Sequence, residues 1–136
     1  MKDSKTTLTE TLDYIIRILT EDNYLGCSRI CTDLLTFSLL ADNPDYVFLG
    51  ETLEAVFSQI NPVMETAIMT NEERITIRNT FLEFMGRVKM KSDFSDKIAL
   101  FDVLRDFRMF VTKQQFELSI RKKKLPETFS LGRRRI

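Results

Sequence analysis

Histidine and tryptophan are both absent from this chain of 136 residues. Without an imidazole there is no Ser-His or Cys-His nucleophile pair, no histidine metal ligand and no histidine acid–base step. Four glycines and three prolines leave little material for the tight turns of an all-β fold. The isolated Gly26, Gly50, Gly86 and Gly132 make no phosphate-binding loop. Two cysteines are too few for a disulfide scaffold. Long apolar runs are missing too. The richest, Leu34–Ala41, is interrupted by Thr36 and Ser38 and falls far short of the roughly 18–20 residues of a membrane span. No signal-peptide-type stretch follows Met1–Thr7, so the expected setting is a reducing cytoplasm.

What the chain does have is apolar periodicity at three and four. Leu8, Leu12, Ile15 and Leu19 lie on one helical stripe, as do Leu49, Leu53, Val56 and Ile60. Ile77, Phe81, Phe84 and Val88 repeat the pattern, as do Leu100, Leu104, Phe107 and Val111, and Cys27, Ile30, Leu34, Phe37 and Ala41. Five stripes predict an all-α, single-domain bundle or stack of antiparallel helical hairpins, with five main helices, a short one and a long C-terminal helix. Leu34, Leu53, Phe81, Leu104 and Phe107 are the expected core.

Punctuation sets the boundaries. Thr7 with Glu10 has the form of a capping box, and Asn43-Pro44 and Asn61-Pro62 each pair an N-cap residue with proline at a first helical position. Thr70 or Asn71 followed by Glu72 and Glu73, and Ser92 followed by Asp93 and Asp96, read as further starts. The resulting map places helices at 8–21, 25–42, 44–60, 62–69, 72–90 and 93–124. Residues 1–6 are expected to be a disordered N-terminus, 7–125 an all-helical domain, and 126–136 a flexible basic tail. The last helix, if continuous, is long enough to overhang a small domain.

Twenty basic and twenty acidic residues cancel overall but are unevenly placed. Residues 21–70 hold eight acids against Arg29, whereas 121–136 hold seven bases against Glu127. An acidic middle and a basic end suggest an interaction segment. Arg121, Lys122, Lys123, Lys124, Arg133, Arg134 and Arg135 are therefore candidates for contact with a polyanion. An acidic surface from Glu21, Asp22, Asp42, Asp45, Glu51 and Glu54 is the other target for them.

Other groupings are weaker. Cys27 and Cys31 share a helical face, but a zinc site lacks its third and fourth ligands, and burial in the core is the expectation. Glu51 with Glu54, and Asp93 with Asp96, have the spacing of paired Mg²⁺ ligands, as in all-α nucleotide pyrophosphohydrolases. They equally suit solvated helix faces and a first helical turn. Gly50 and Gly86 fall inside helices, where they suggest close helix approach. Eleven phenylalanines are many, and Phe101, Phe107, Phe110 and Phe116 interleave with Arg105, Arg108 and Lys113. At helical spacing such a set is expected to be core or protein interface.

The expected function is a non-enzymatic helical interaction module, an adaptor or regulator. It would be oligomeric through the last helix, with Phe110, Phe116, Leu118 and Ile120 at the partner interface. The expected partner is a second copy, as a homodimer, or another protein. No cofactor, metal, membrane or small-molecule substrate is implied. The alternative is a nucleic-acid-associated protein that uses the basic C-terminal segment.

Overall fold

A computed structural model describes residues 4–40, 44–91 and 97–124. The described residues form five helices and no strand: α1 (Ser4–Leu19), α2 (Tyr24–Leu40), α3 (Pro44–Glu65), α4 (Asn71–Lys91) and α5 (Lys97–Lys123). The all-α expectation from periodicity holds. Residues 1–3 and 125–136 lie outside the described residues, and with them the predicted basic tail with Arg133, Arg134 and Arg135. Asn43 and the predicted helix start at 92–96 lie outside them as well.

Three boundaries differ from the sequence map, each for a local reason. First, α1 begins at Ser4, so Thr7 stands inside the helix and not at its cap. Neither glycine nor proline interrupts residues 4–8, and nothing there stops the helix from extending. Second, α1 ends in a Schellman motif. Asn23 N–H donates to Ile18 O (3.3 Å) and Asp22 N–H to Leu19 O (3.0 Å), with Asp22 at φ 59° where glycine is usual. Asn23 then caps α2 by accepting from Gly26 N–H at 2.9 Å.

Third, the separate short helix expected at 62–69 is absent. α3 runs through Asn61-Pro62 to Glu65, and 66–70 form a turn. Pro62 lies in the last turn of the helix and forfeits only one backbone bond there. Buried Ile60, Val63 and Met64 hold that turn on the core. The carbonyls of Met64 and Thr66, left open where the helix ends, accept from the Arg74 guanidinium, Nε reaching Met64 O at 3.0 Å. α4 then opens on a reciprocal capping box. Thr70 Oγ1 accepts from Glu73 N–H, and Thr70 N–H donates to Glu73 Oε1, both at 3.1 Å.

The helices close a circuit. α1 packs on α2 and α4, α2 on α3, α3 on α5, and α5 on α4. α4 runs antiparallel to α1, with Asp13 at Lys89 and Asp22 at Arg78, and antiparallel to α5, with Glu73 at Arg121 and Phe84 at Phe107. Alternating directions suit the short connections of the other helices. In a circuit of five, such alternation cannot close, so one neighbouring pair must run parallel. That pair is α3 and α5: Phe48 meets Phe101 near their starts, Gln115 meets Gln59 further on, and Pro62 and Val63 adjoin Leu118 near their ends.

The phenylalanine surplus fills the middle. Phe57 of α3, Phe81 of α4 and Phe107 of α5 are fully buried and meet edge to face at 5.5, 6.2 and 4.7 Å. Leu34, Leu53, Phe81, Leu104 and Phe107 are all buried, as the stripes predicted.

The last helix does not overhang. α5 is continuous from Lys97 to Lys123, but α3 is extended by its final turn through Pro62 and accompanies it. Leu118 is buried, and Arg121 is bonded to Glu73 at the start of α4. Among the described residues no helix is long and apolar enough to cross a membrane.

Candidate functional site

The parallel seam between α3 and α5 is closed at both ends and open between them. Phe48 packs edge to face on Phe101 at 4.9 Å at one end, and Gln115 Nε2 donates to Gln59 O at 3.4 Å at the other. Between these contacts lies a groove of about 650 Å³. Its floor is Thr52 and Leu104, both buried. Its walls are Phe48, Met109 and Phe116, which are 40%, 62% and 64% exposed. Tyr14, Leu25, Leu39, Ile75, Met90 and Ile98 are exposed elsewhere. Phe48, Met109 and Phe116 gather at one concavity.

Charge at the groove is of one sign. Arg105, Arg108, Thr112 and Lys113 complete the lining, and no carboxylate among the described residues belongs to it. Arg105 is partly compensated by Asp102 (3.5 Å) and Asp106 (3.8 Å). Arg108 and Lys113 have no carboxylate partner among the described residues. A stripe at i, i+4 and i+7 or i+8 on α5 (Arg105, Met109, Thr112, Lys113) thus runs beside the core stripe Leu104, Phe107 and Val111.

The residues expected at a partner interface are divided by the fold. Phe116 is exposed at the groove. Phe110 is turned the other way and packs on Phe81 and Phe84, with centroids at 6.0 and 5.9 Å. Leu118 is buried between α3 and α5, and Ile120 is half-buried. The chain itself covers Leu118 and half-buries Phe110, because α5 meets α3 on one side and α4 on the other. Phe48 and Met109 were not among the expected site residues. The signal for Met109 was its spacing of seven from Phe116, and for Phe48 its spacing of four from Thr52.

The basic end of α5 is also divided. Arg121 is bonded to Glu73, whereas Lys122, Lys123 and Lys124 are exposed. The Arg121 guanidinium, and then the Thr70 N–H, hold the Glu73 carboxyl down at about 2. A carboxyl lowered on folding stabilises the fold at pH above its unfolded value, ordinarily near 4.3, and loses that contribution as pH falls toward 2. The pair is part-exposed, so its contribution is expected to be at most about 1 kcal/mol. An NMR titration of the Glu73 carboxyl is expected to give a midpoint well below the other glutamates, and Arg121→Ala to raise it. An unchanged midpoint in that variant would remove Arg121 as the cause.

The remaining groupings do not assemble. Cys27 and Cys31 are buried as free thiols, with Cys27 Sγ donating to Ile15 O at 3.6 Å. Burial pushes the Cys27 thiol up to about 12, and Cys31 also well above its usual range. Neither is poised as a nucleophile. Glu51 is exposed and Glu54 half-buried on α3, while Asp93 and Asp96 lie outside the described residues. Among the described residues, no three Cys, Asp or Glu side chains are placed to share a metal ion. Asp22, one of the acids of the expected acidic surface, is paired with Arg78 at 3.2 Å. Set against protein families, curated proteins and solved structures, the chain matches none.

Proposed function

We propose that the chain is a non-enzymatic protein-interaction module that works through the open seam between α3 and α5. The observation that carries this reading is the gathering of Phe48, Met109 and Phe116 at one groove with an apolar floor. Contiguous exposed apolar surface is uncommon on a folded protein and often marks an interaction site. The partner is either a second copy or a different protein. A rival reading, association with nucleic acid, draws on the exposed Lys122, Lys123 and Lys124 at the end of α5.

In-cell photo-crosslinking separates the two. A photoreactive phenylalanine analogue replaces Phe116 in one variant and the exposed Leu25 of α2, away from the groove lining, in another. Discrete protein adducts are expected from position 116 and not from position 25. Equal adducts at both positions, or nucleic acid as the adduct at 116, would remove the interaction-module reading.

A further inference from the structure

We propose that the occupant of the α3–α5 groove is an amphipathic helix from a different protein, apolar on one face and acidic along its flanks. This rests on the interaction-module reading above and specifies the partner's chemistry. Three observations lead to it.

The first is shape. The lining runs from Leu104 to Phe116 along α5, about 18 Å at 1.5 Å per residue, or a little over three turns of helix. The groove lies along the contact of two parallel helices and is open along one side, so a third helix laid into it would meet Phe48 and Thr52 from α3 and Leu104, Met109 and Phe116 from α5. That is the helix-in-groove mode, in which anchors at i, i+3 or i+4, and i+7 enter the groove. A small ligand is normally enclosed over most of its surface, and this open trough does not offer that.

The second is charge. Arg105, Arg108 and Lys113 stand on the α5 side of the groove, and among the described residues no acid lies in the lining and none partners Arg108 or Lys113. A helix with Glu or Asp beside its apolar face would answer those charges, and a basic one would be repelled.

The third is what the charges reject. An isologous dimer sets one patch against itself, so these cations would meet a copy of a lining that holds no carboxylate among the described residues. The chain's own 125–136 segment carries Arg133, Arg134 and Arg135 against Glu127, and is a poor match for the same reason. Nucleic acid would satisfy the cations but not the apolar walls and floor formed by Phe48, Leu104, Met109 and Phe116.

The test uses the full chain and three fluorescent synthetic peptides of roughly 18 residues, five turns of helix. One carries leucines at i, i+3, i+4 and i+7 flanked by glutamates. The second has lysine at every glutamate. The third is the acidic peptide broken by a central proline. Fluorescence anisotropy is expected to show saturable binding of the acidic helix, at least about tenfold tighter than either control and weakening as salt rises. Met109→Asp is expected to abolish that binding. Arg108→Glu with Lys113→Glu, both at exposed positions, is expected to reverse the preference toward the lysine peptide. Circular dichroism and a cooperative melt establish that each variant is folded.

The proposal is overturned if the acidic helix shows no saturable binding, if the lysine or proline peptide binds as tightly, or if Met109→Asp leaves binding unchanged. It is also overturned if light scattering shows the chain self-associating through this groove, with Met109→Asp dissolving the dimer. Protein adducts at position 116 without a preference for the acidic helix would leave the interaction module standing and remove only this partner.

Discussion

Phe81→Ala is expected to cost about 3–5 kcal/mol of folding stability, a third or more of what many domains of this size possess. Phe81 is fully buried, and its ring is the common neighbour of four others. Tyr24 of α2 lies at 5.8 Å, Phe57 of α3 at 5.5 Å, and Phe107 and Phe110 of α5 at 4.7 and 6.0 Å. One side chain on α4 therefore joins three other helices across the middle of the circuit. Truncation removes the buried ring and leaves a cavity, and the edge-to-face contacts go with it. Tyr24→Phe is the matched control. It keeps the ring beside Phe81 and deletes a buried hydroxyl that has no hydrogen-bond partner among the described residues. That variant is expected to be as stable as the parent or slightly more so, since no bond is lost. Urea denaturation of the three proteins measures both effects, and an unchanged m-value shows that the folded state is the same. A loss below about 1 kcal/mol for Phe81→Ala would mean that the aromatic cluster is not enclosed.

The core was legible because burial imposes a period on the chain. Leu8, Leu12, Ile15 and Leu19 announce one face of one helix, and so does each of the other stripes. Local punctuation was legible only where a residue does its commonest work. Thr70 and Glu73 form the capping box their spacing suggested. Pro62 does not start a helix, because the packing of Val63 and Met64 outweighs one missing backbone bond. Asp22 takes a conformation usual for glycine, and its residue type gives no sign of that.

The groove was legible least. Phe116 could be placed on an apolar helix, but whether it faces solvent depends on which helices flank α5. Phe110, six residues earlier, faces α4 and is half-buried against it, while Phe116 faces the open seam. That difference arises from a parallel contact between helices distant in sequence. A stripe on one helix records that it has a buried side, not which neighbour supplies it.

Gly50 and Gly86 were alike in the sequence, each interrupting a helix, and the fold makes opposite predictions for them. A Cβ at Gly50 would lie 3.1 Å from Leu35 Cα, 3.2 Å from its N and 3.3 Å from its Cβ. Two of those atoms are backbone and cannot swing aside, so α2 and α3 would have to part by a few tenths of an ångström. Those two helices form the most extensive contact in the fold. Overpacking there costs about 1–3 kcal/mol, against which alanine recovers about 1 kcal/mol of helix propensity. Gly50→Ala is therefore expected to lose up to about 2 kcal/mol, and Gly50→Val, which adds two more carbons against the same backbone, about 3 kcal/mol. Gly86 has nothing within 4 Å of the same construction. Gly86→Ala is expected to gain about 0.5–1 kcal/mol, because the added methyl meets no neighbour and the unfolded chain loses freedom. Denaturation midpoints of the three variants decide the matter. If Gly50→Ala were to stabilise the protein as Gly86→Ala does, α2 and α3 would not be in contact at Leu35, and the circuit of helices that leaves the α3–α5 seam open would have to be drawn differently.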